Sequence, residues 1–312
     1  MGAKLVLGTA QLGMRYGVAN SVGRPTQDQA STLLRSAAAA GVSEWDTARA
    51  YGDSENVLGA VLKEAWASGV HVITKLSPLA GLLVTDEVGE PDVVALVDGS
   101  IASSMAALGA NRLETLLLHR ADHVSAWHGA VWRRLLDYVK RGDIGTLGVS
   151  VQSPGELLEV VRIPEVGHVQ LPFNLLDWRW DDALPSLVAE RKNRALVVHV
   201  RSAFLQGLLA QNQSELWAKI GVRDADAVVA GLCGLEDHFG RDVRDLALAF
   251  VRAQDWCDGV VVGMETMSQL AANLDLFSRS VLDADGLCFV AANRPMIPAP
   301  YLDPAKWRIM NE

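Results

Sequence analysis

The segment Trp45-Asp46-Thr47-Ala48-Arg49-Ala50-Tyr51-Gly52 places an acid and a phenol directly after a short apolar run. Two later runs end in a comparable way. Val70-His71-Val72-Ile73-Thr74-Lys75 ends on an amine, and Leu113-Glu114-Thr115-Leu116-Leu117-Leu118-His119 ends on an imidazole. Such apolar runs are typical of buried parallel strands. The four polar side chains are therefore predicted to meet where neighbouring parallel strands end.

Strand-like and helix-like patterns alternate along the whole chain. Short runs rich in Val, Ile and Leu predict buried strands at residues 5–8, 42–46, 70–75, 115–119, 146–150, 168–171, 195–200 and 259–263. Helical patterns lie between them at residues 26–40, 54–68, 91–108, 131–140, 154–161, 184–190, 243–253 and 267–277. Strand and helix repeated in this way predict an α/β fold, a (β/α)8 TIM barrel. A doubly wound sheet is the alternative, but the residues after the first strand have too few glycines for a dinucleotide-binding fingerprint.

Three segments are too long to be simple connections: residues 77–90, 202–241 and 279–312. The first two follow the third and seventh strands, on the barrel face where loops build active sites. We therefore expect long loops there and a C-terminal loop over the same face. The chain has no low-complexity linker or break in composition, which predicts one domain over residues 1–312.

The composition excludes several classes of partner. The net charge is −9 and the isoelectric point about 5.3, which argues against binding to nucleic acid or to an anionic membrane surface. No apolar run approaches the roughly 20 residues of a membrane span, and the start of the chain lacks a signal-peptide layout. Cys233, Cys257 and Cys288 have no CxxC spacing and are predicted to be buried free thiols. We therefore expect a cytoplasmic protein.

Asp46, Tyr51, Lys75 and His119 together suit proton donation. A phenol has a pKa of about 10, and a nearby ammonium lowers that value by stabilising the phenolate. A carboxylate would hold the ammonium charged, and an imidazole would orient the oxygen that receives the proton. Each residue alone also fits a structural role, as a turn cap, a packing ring, a solvent-reaching amine or a core histidine. Their occurrence at successive strand ends favours the chemical role.

At these residues the sequence resembles the aldo-keto reductase family. The matching motifs are Asp46-Thr47-Ala48 with Tyr51-Gly52, Ile73-Thr74-Lys75, Leu116-Leu117-Leu118-His119, Leu7-Gly8-Thr9-Ala10, Gly148-Val149-Ser150, Val169-Gln170, Asn174-Leu175-Leu176-Asp177, Gln206-Gly207-Leu208-Leu209 and Val262-Gly263. The resemblance implies that a nicotinamide cofactor delivers hydride to a carbonyl carbon while Tyr51 supplies the proton. Lys75 would lower the Tyr51 pKa, Asp46 would pair with Lys75, and His119 would hold the substrate oxygen.

The resemblance also implies cofactor contacts. Ser150 and Gln170 match the polar pair that binds the nicotinamide amide, although Val151 stands where an Asn is usual. Arg201 stands where relatives commonly carry an aromatic ring that stacks on the nicotinamide. Its guanidinium is able to stack too, or to bind an anionic substrate group. The alternative is that Arg201 pairs with an acid.

The segment after the last strand resembles the part of the family that meets the adenosine ribose. Gly263, Glu265 and Gln269 belong to it, and Asn273 follows. Members that prefer NADPH often carry Lys or Arg there, whereas this segment has neither and adds the carboxylate of Glu265. An acidic residue selects NAD in other folds by accepting from the ribose 2′-hydroxyl. The cofactor is therefore predicted to be NAD(P)H with NAD preferred, unless Lys306 or Arg308 folds back to meet a phosphate.

These observations favour an oxidoreductase that acts on an aldehyde, a ketone or a sugar carbonyl, with links to carbohydrate metabolism. Two alternatives remain: a non-catalytic subunit that binds the cofactor, and a lyase that forms a Schiff base through Lys75. Pairing with Asp46 argues against the lyase, because it keeps the amine charged. No metal site is expected, since His123 and His128 have no matched carboxylate. The sequence predicts neither the individual substrate nor the oligomeric state.

Overall fold

The computed structural model describes residues 2–17, 23–79 and 89–307. Eight parallel strands close into a barrel in chain order, and β8 pairs with β1. They are β1 Lys4–Gly8, β2 Glu44–Asp46, β3 His71–Lys75, β4 Leu113–Leu118, β5 Ile144–Ser150, β6 His168–Pro172, β7 Val197–Arg201 and β8 Gly259–Gly263. Each coincides with a predicted apolar run to within two residues at either end. The predicted (β/α)8 barrel is confirmed.

Helices follow the strands and form the outer layer. They are α1 Ala10–Gly13, α2 Gln27–Ala39, α3 Ser54–Leu62, α4 Glu90–Leu108, α5 Ala126–Arg141, α6 Pro154–Val160, α7 Leu184–Asn193, α8 Leu208–Gln211, α9 Ser214–Lys219, α10 Ala225–Phe239, α11 Val243–Arg252, α12 Met267–Ser278 and α13 Ala284–Asn293. Capping explains where α2 begins, because Thr26 and Gln29 form a reciprocal capping box. Gly41 follows its end with φ of +85°, a conformation that glycine adopts without steric cost.

Alternation of side chains along the strands produces layers inside the barrel. On β3, His71, Ile73 and Lys75 share one face because they lie two residues apart. Ile73 packs in the barrel with Val6 and Leu117 as a small apolar layer. His71 and Lys75 therefore lie on opposite sides of this layer, His71 toward the amino-terminal end of the barrel and Lys75 toward the carboxyl end. The latter end is where active sites of this fold are built.

A cluster of polar side chains, His168, His199 and Glu44, lies at the amino-terminal end of the barrel. The rings of His168 and His199 meet edge to face with their centres 4.4 Å apart. His199 Nε2 lies 3.1 Å from Glu44 Oε2, and Lys4 Nζ donates to the other carboxylate oxygen. Burial and the neighbouring charge of His199 hold the pKa of His168 well below its ordinary value of 6.5. These groups bear on the pH dependence of stability rather than on the site.

The insertion after β7 is long, as expected, and largely helical. Helices α8, α9 and α10 occupy most of residues 202–241, and Asp224 caps the start of α10. The C-terminal segment likewise begins with α13 before short 3-10 turns. Backbone carbonyls of this segment accept from Trp178 Nε1 and Arg179, which follow β6, so it covers the carboxyl face as expected. Residues 80–88 of the loop after β3, and the terminal residues 308–312 with Arg308, lie outside the described residues.

Within the described residues, α4 has the length and mean hydropathy (1.2) that would allow a membrane span, but its buried face of Val93, Val97 and Ile101 belongs to the core around the barrel. The three cysteines are free, as predicted, but only Cys257 is buried, whereas Cys233 and Cys288 are exposed. Both exposed thiols lie on outer helices whose opposite faces supply the packing.

Candidate active site

Asp46 and Lys75 form a buried ion pair at the carboxyl ends of β2 and β3. Lys75 Nζ donates to both carboxylate oxygens of Asp46 at 2.7 Å and to the carbonyl oxygen of Thr47 at 2.9 Å. Gln170 Nε2, on β6, donates to the same carboxylate at 2.7 Å. Lys75 is only 1% exposed and Asp46 only 3%. Burial lowers the Lys75 pKa, and the Asp46 charge opposes that shift.

The loop that carries Tyr51 is held by buried hydroxyls. Thr9 donates to the backbone oxygen of Asp46 at 2.8 Å, Ser54 donates to the backbone oxygen of Thr9 at 2.9 Å, and Thr47 donates to Ser54 at 2.9 Å. Gly13 fits against the same loop without a side chain, since a Cβ there would lie 1.9 Å from the Tyr51 carbonyl oxygen. The loop is thus locked between α1 and the start of α3.

Tyr51 and His119 lie above the ion pair. Lys75 Nζ is 5.0 Å from the centre of the Tyr51 ring, and the His119 ring meets that ring edge to face with centres 5.8 Å apart. The structure therefore brings together the four residues that the sequence singled out. Burial first, and then the negative charge of Asp46, raise the Tyr51 pKa above its ordinary value. The positive charge of Arg201 opposes this shift.

His119 directly follows β4 and is neutral near pH 7. Burial, together with the charges of Lys75 and Arg201, lowers its pKa to about 3. In the described part of the chain its Nδ1 is buried and has no hydrogen-bond partner. A neutral imidazole in this position has one donor and one acceptor nitrogen. It is therefore suited to orient an oxygen without taking its proton.

Arg201 ends β7 and is half-buried. Its Nη2 donates to the carbonyl oxygen of Val151 at 3.2 Å and to the side-chain oxygen of Gln152. Gln152 in turn donates to Asp303 at 2.8 Å, which connects the site to the C-terminal segment. Among the described residues no carboxylate lies within 4 Å of the Arg201 guanidinium, so the alternative of a direct acid partner is not seen.

A cavity of about 360 Å³ joins these groups to the residues expected to bind the cofactor. Tyr51, Asp46 and Arg201 form part of its wall. The remainder of the wall includes all the residues expected at the adenosine end: Gly263, Glu265, Gln269 and Asn273. Ser150 and Gln170 lie side by side on β5 and β6 and are both buried, so they do not line the cavity itself. One cleft is thus lined by Asp46, Tyr51 and Arg201 together with the predicted adenosine contacts.

Buried polar atoms near this cleft suit a nicotinamide carboxamide. A carboxylate only accepts hydrogen bonds, so the amide nitrogen of Gln170 must face Asp46 and its oxygen must point away. That oxygen is buried and has no partner within the described chain, which leaves an acceptor for an amide N–H. Val151 supplies no side-chain hydrogen bond, and its carbonyl is used by Arg201. The residues present therefore fit a nicotinamide, with one contact fewer than the resemblance implies.

At the other end of the cleft, two of the expected residues also serve the protein itself. Gln269 Oε1 accepts from the backbone N–H groups of Glu265 at 2.8 Å and Thr266 at 3.3 Å, which caps α12. Asn273 Oδ1 accepts from Arg244 Nη2 at 2.7 Å. Gln269 therefore shapes the turn that presents Glu265, and Asn273 positions an arginine.

Among the residues of the cleft that sequence reasoning missed are Tyr16, Phe204 and Arg244. Tyr16 is 39% exposed and stands at the mouth. Arg244 lies in the first turn of α11, within an amphipathic pattern that gives no reason to select it. In the described ranges, no group of three His, Cys, Asp or Glu side chains is placed to hold a metal ion.

The fold and the buried groups define a class, the (β/α)8 barrels with an acid, an amine, a phenol and an imidazole at their carboxyl face. The Aldo/keto reductase family model matches residues 4–287, and the chain belongs to this family. The Aldo-keto reductase str7 of Strobilurus tenacellus is 27% identical over 206 residues, which cover 65% of this chain and 57% of that protein. The aldo-keto reductase AKR11C1 from Bacillus halodurans, in its holo form, has a TM-score of 0.73 at 17% identity, covering 95% of this chain and 93% of that one.

Proposed function

We propose that the protein transfers hydride between NAD(P)H and an aldehyde, ketone or sugar carbonyl, with Tyr51 as the general acid and base. One observation carries the proposal. The Asp46–Lys75 pair lies beneath Tyr51 and His119, and Asp46 and Tyr51 line the cleft that the expected adenosine contacts also line. A buried acid–amine pair serving only stability has no need to adjoin a phenol and an unpartnered imidazole nitrogen.

The chemistry is divided between cofactor and protein. When bound, the nicotinamide supplies the hydride. Neutral His119 holds the substrate oxygen by a hydrogen bond, and Tyr51 gives that oxygen its proton as negative charge develops. Because burial raises the Tyr51 pKa, the phenol is protonated near neutral pH and ready to donate. The charges of Arg201 and the Lys75 ammonium support the phenolate that remains.

The proposed cofactor contacts run from the nicotinamide end of the cleft to its adenosine end. Gln170 accepts from the carboxamide beside Ser150, and Arg201 stacks on the nicotinamide or meets an anionic substrate group. Gly263 leaves room at the turn after β8, since a Cβ there would lie 2.2 Å from Gln11 Nε2. The segment from Glu265 to Asn273 forms the adenosine end.

The preference for NAD rested on the absence of a cation near Glu265. The fold does not meet that premise, because Arg244 lines the same cleft. Glu265 is nearly buried and remains able to accept from a ribose hydroxyl. The choice between the two cofactors therefore depends on Arg244 as well as on Glu265.

The two alternative functions differ from this proposal in measurable ways. A Schiff-base lyase needs an accessible neutral amine, whereas Lys75 is 1% exposed and bound by both oxygens of Asp46. Borohydride trapping of a carbonyl compound on Lys75 would favour the lyase. A cofactor-binding subunit would bind the dinucleotide but turn over no member of a panel of aldehydes, ketones and sugars. We further propose that residues 1–312 form one domain that acts in the cytoplasm on small molecules.

The decisive experiment is Tyr51→Phe, which removes the proton donor and keeps the ring. Turnover of the best substrate of the panel should fall by roughly 10²–10⁴, the range for acid–base catalysis, while the dissociation constant of the cofactor stays the same. Tyr138→Phe is the matched control, because that phenol donates to Asp98 on the outside of the barrel. Activity of Tyr51→Phe within a few-fold of the control would refute the proposal.

A further inference from the structure

Arg201 reaches across the carboxyl end of the barrel from β7 toward β5. It lies two residues after His199 on the same face of β7, so its side chain is directed into the barrel, and it lines the cleft with Tyr51. Its Nη2 donates to the carbonyl oxygen of Val151, the residue after β5, at 3.2 Å and to the side chain of Gln152. Because β6 lies between β5 and β7, the guanidinium spans the end of β6.

The groups that suit a nicotinamide carboxamide lie at the same end of β6. Gln170 comes two residues before Pro172, which pairs with Arg201. The side-chain oxygen of Gln170 is buried and has no partner in the described part of the chain, and Ser150 lies beside this residue on β5. A carboxamide bound to Ser150 and Gln170 would therefore bring the nicotinamide ring next to the guanidinium that spans the end of β6.

The positive charge of Arg201 is not balanced by the groups around it. Asp46 accepts two hydrogen bonds from Lys75, so these two charges cancel. Burial keeps His119 neutral near pH 7. Arg201 itself donates to neutral oxygen atoms, and in the described ranges no carboxylate lies within 4 Å of its guanidinium. Of the charges on these four residues, only that of Arg201 thus remains uncancelled.

The nicotinamide ring changes its charge during the proposed reaction. The ring is neutral in the reduced cofactor and carries one positive charge in the oxidised cofactor, whereas the phosphates and the adenosine are the same in both. A cation beside the ring therefore repels only the oxidised form, and this repulsion is stronger in a low-dielectric cleft than in water. An aromatic side chain at position 201 would act in the opposite sense, because its face attracts a cation.

We propose that Arg201 selects the redox state of the cofactor, because its charge weakens the binding of NAD(P)⁺ relative to NAD(P)H. The inference rests on the proposed function, since it requires the dinucleotide to occupy the cleft with its nicotinamide at Ser150 and Gln170. The Val151 carbonyl and Gln152 hold the guanidinium in place. The protein then retains the reduced cofactor and releases the oxidised one, which suits the direction of carbonyl reduction.

The test is direct binding to the full chain, measured by calorimetry or tryptophan fluorescence. The probes are NADH, NAD⁺, NADPH and NADP⁺, with ADP-ribose as a probe that lacks the nicotinamide. Arg201→Leu and Arg201→Gln remove the charge, whereas Arg201→Lys keeps it. Arg244→Leu is the matched control, because it removes another arginine of the cleft, at the end that Glu265 and Asn273 line.

The wild-type protein should bind NADH more tightly than NAD⁺, and NADPH more tightly than NADP⁺. Arg201→Leu and Arg201→Gln should lower the ratio of the oxidised to the reduced dissociation constant by roughly 10- to 100-fold. This range lies between a unit-charge repulsion at about 4 Å in bulk water and near a protein surface. The reduction potential of the bound couple should fall by about 30 mV for each tenfold change. Arg201→Lys should keep most of the ratio, Arg244→Leu should leave it unchanged, and ADP-ribose should bind the Arg201 variants as it binds the wild type.

An unchanged ratio in both neutral variants, or a wild-type protein that binds NAD⁺ as tightly as NADH, would overturn the inference. If the unchanged ratio came with a higher Michaelis constant for carbonyl compounds that carry a carboxylate, Arg201 would belong to substrate recognition instead. An equal loss of all four dinucleotides in Arg201→Leu would leave it a stacking role alone. Failure of the wild-type protein to bind any dinucleotide would reject the proposed function itself, and the inference with it. Should Arg201→Leu not fold, Arg201→Gln and Arg201→Lys still decide.

Discussion

Asp46→Asn isolates the charge of the buried pair, because asparagine keeps the shape of the side chain. In the wild-type protein the carboxylate accepts two hydrogen bonds from Lys75 and one from Gln170, all at 2.7 Å. After the change, the Lys75 ammonium is almost fully buried with only the Thr47 carbonyl and an amide oxygen as partners. Breaking a buried pair in this way costs about 3–5 kcal/mol of unfolding free energy.

Titration of Lys75 sets an upper limit on this loss of unfolding free energy. Lys75 escapes the unpaired charge by releasing its proton, and for an amine of pKa about 10.4 this costs about 4.6 kcal/mol at pH 7, at about 1.36 kcal/mol per pH unit. The unfolded chain then binds one proton more than the folded one, so the stability of the variant should rise with pH. The loss relative to wild type should shrink by about 2.7 kcal/mol between pH 7 and pH 9.

Urea denaturation at several pH values measures both quantities, with Lys75→Met and the Asp46→Asn/Lys75→Met double variant completing a cycle. The double variant should be more stable than the sum of the single losses predicts, since it buries no charge. Asp98→Asn serves as control, because its pair with Arg134 lies at the surface and should contribute at most about 1 kcal/mol. The reasoning fails if Asp46→Asn is within 1 kcal/mol of wild type and shows no gain between pH 7 and pH 9.

Three further predictions concern the surroundings of the pair. Gly13→Ala should displace the Tyr51 loop, because the new Cβ would lie 1.9 Å from the Tyr51 carbonyl oxygen. Turnover should fall at least 10-fold, which corresponds to about 1.4 kcal/mol in the activation barrier. Gly99→Ala is the control and should leave turnover unchanged, because open space surrounds Gly99. The unfolding free energy should decrease from pH 7 to pH 5, by up to about 1.4 kcal/mol per pH unit for each buried neutral histidine. The reason is that His168 takes up a proton near pH 6.5 in the unfolded chain but not in the fold. An unfolding free energy from urea denaturation that stays constant between pH 7 and pH 5 would contradict this prediction. Arg201→Leu should move the basic limb of the pH–rate profile upward, because the Arg201 charge lowers the Tyr51 pKa; an unmoved limb would assign Arg201 no electrostatic role in the site.

The barrel and the proximity of Asp46, Tyr51, Lys75 and His119 were predictable because their signals are local. Each strand is a short apolar run, and a buried parallel strand needs no more information than that. Asp46, Lys75 and His119 stand at or just after strand ends, so the topology that aligns the strands also gathers these side chains. Tyr51 needed only a short loop from β2. The sequence order of the motifs therefore translated directly into proximity.

The residues that were missed depend on pairings that sequence does not encode locally. Arg244 precedes the adenosine segment by about one helix and one strand, and the packing of α11 against α12 brings it to the same cleft as Glu265. The roles of Lys75 and Arg201 were assigned by proximity along the family motif. The effect of the Arg201 charge on Tyr51 was missed, because only the packed site brings both side chains to the wall of one cavity.

The electrostatics of the cleft differ from those of the whole chain for the same reason. A net charge of −9 argues against nucleic acid on the outer surface. Inside the cleft, however, Asp46 cancels Lys75, whereas Arg201 and Arg244 have no carboxylate within 4 Å in the described residues. Charges act more strongly in such a low-dielectric space than in water. The cleft is therefore suited to an anion at each end, with Glu265 opposing only the one beside Arg244. In the proposed function, the phosphates of the dinucleotide and the oxygen that becomes negative during carbonyl reduction are the anionic groups that the cleft would receive.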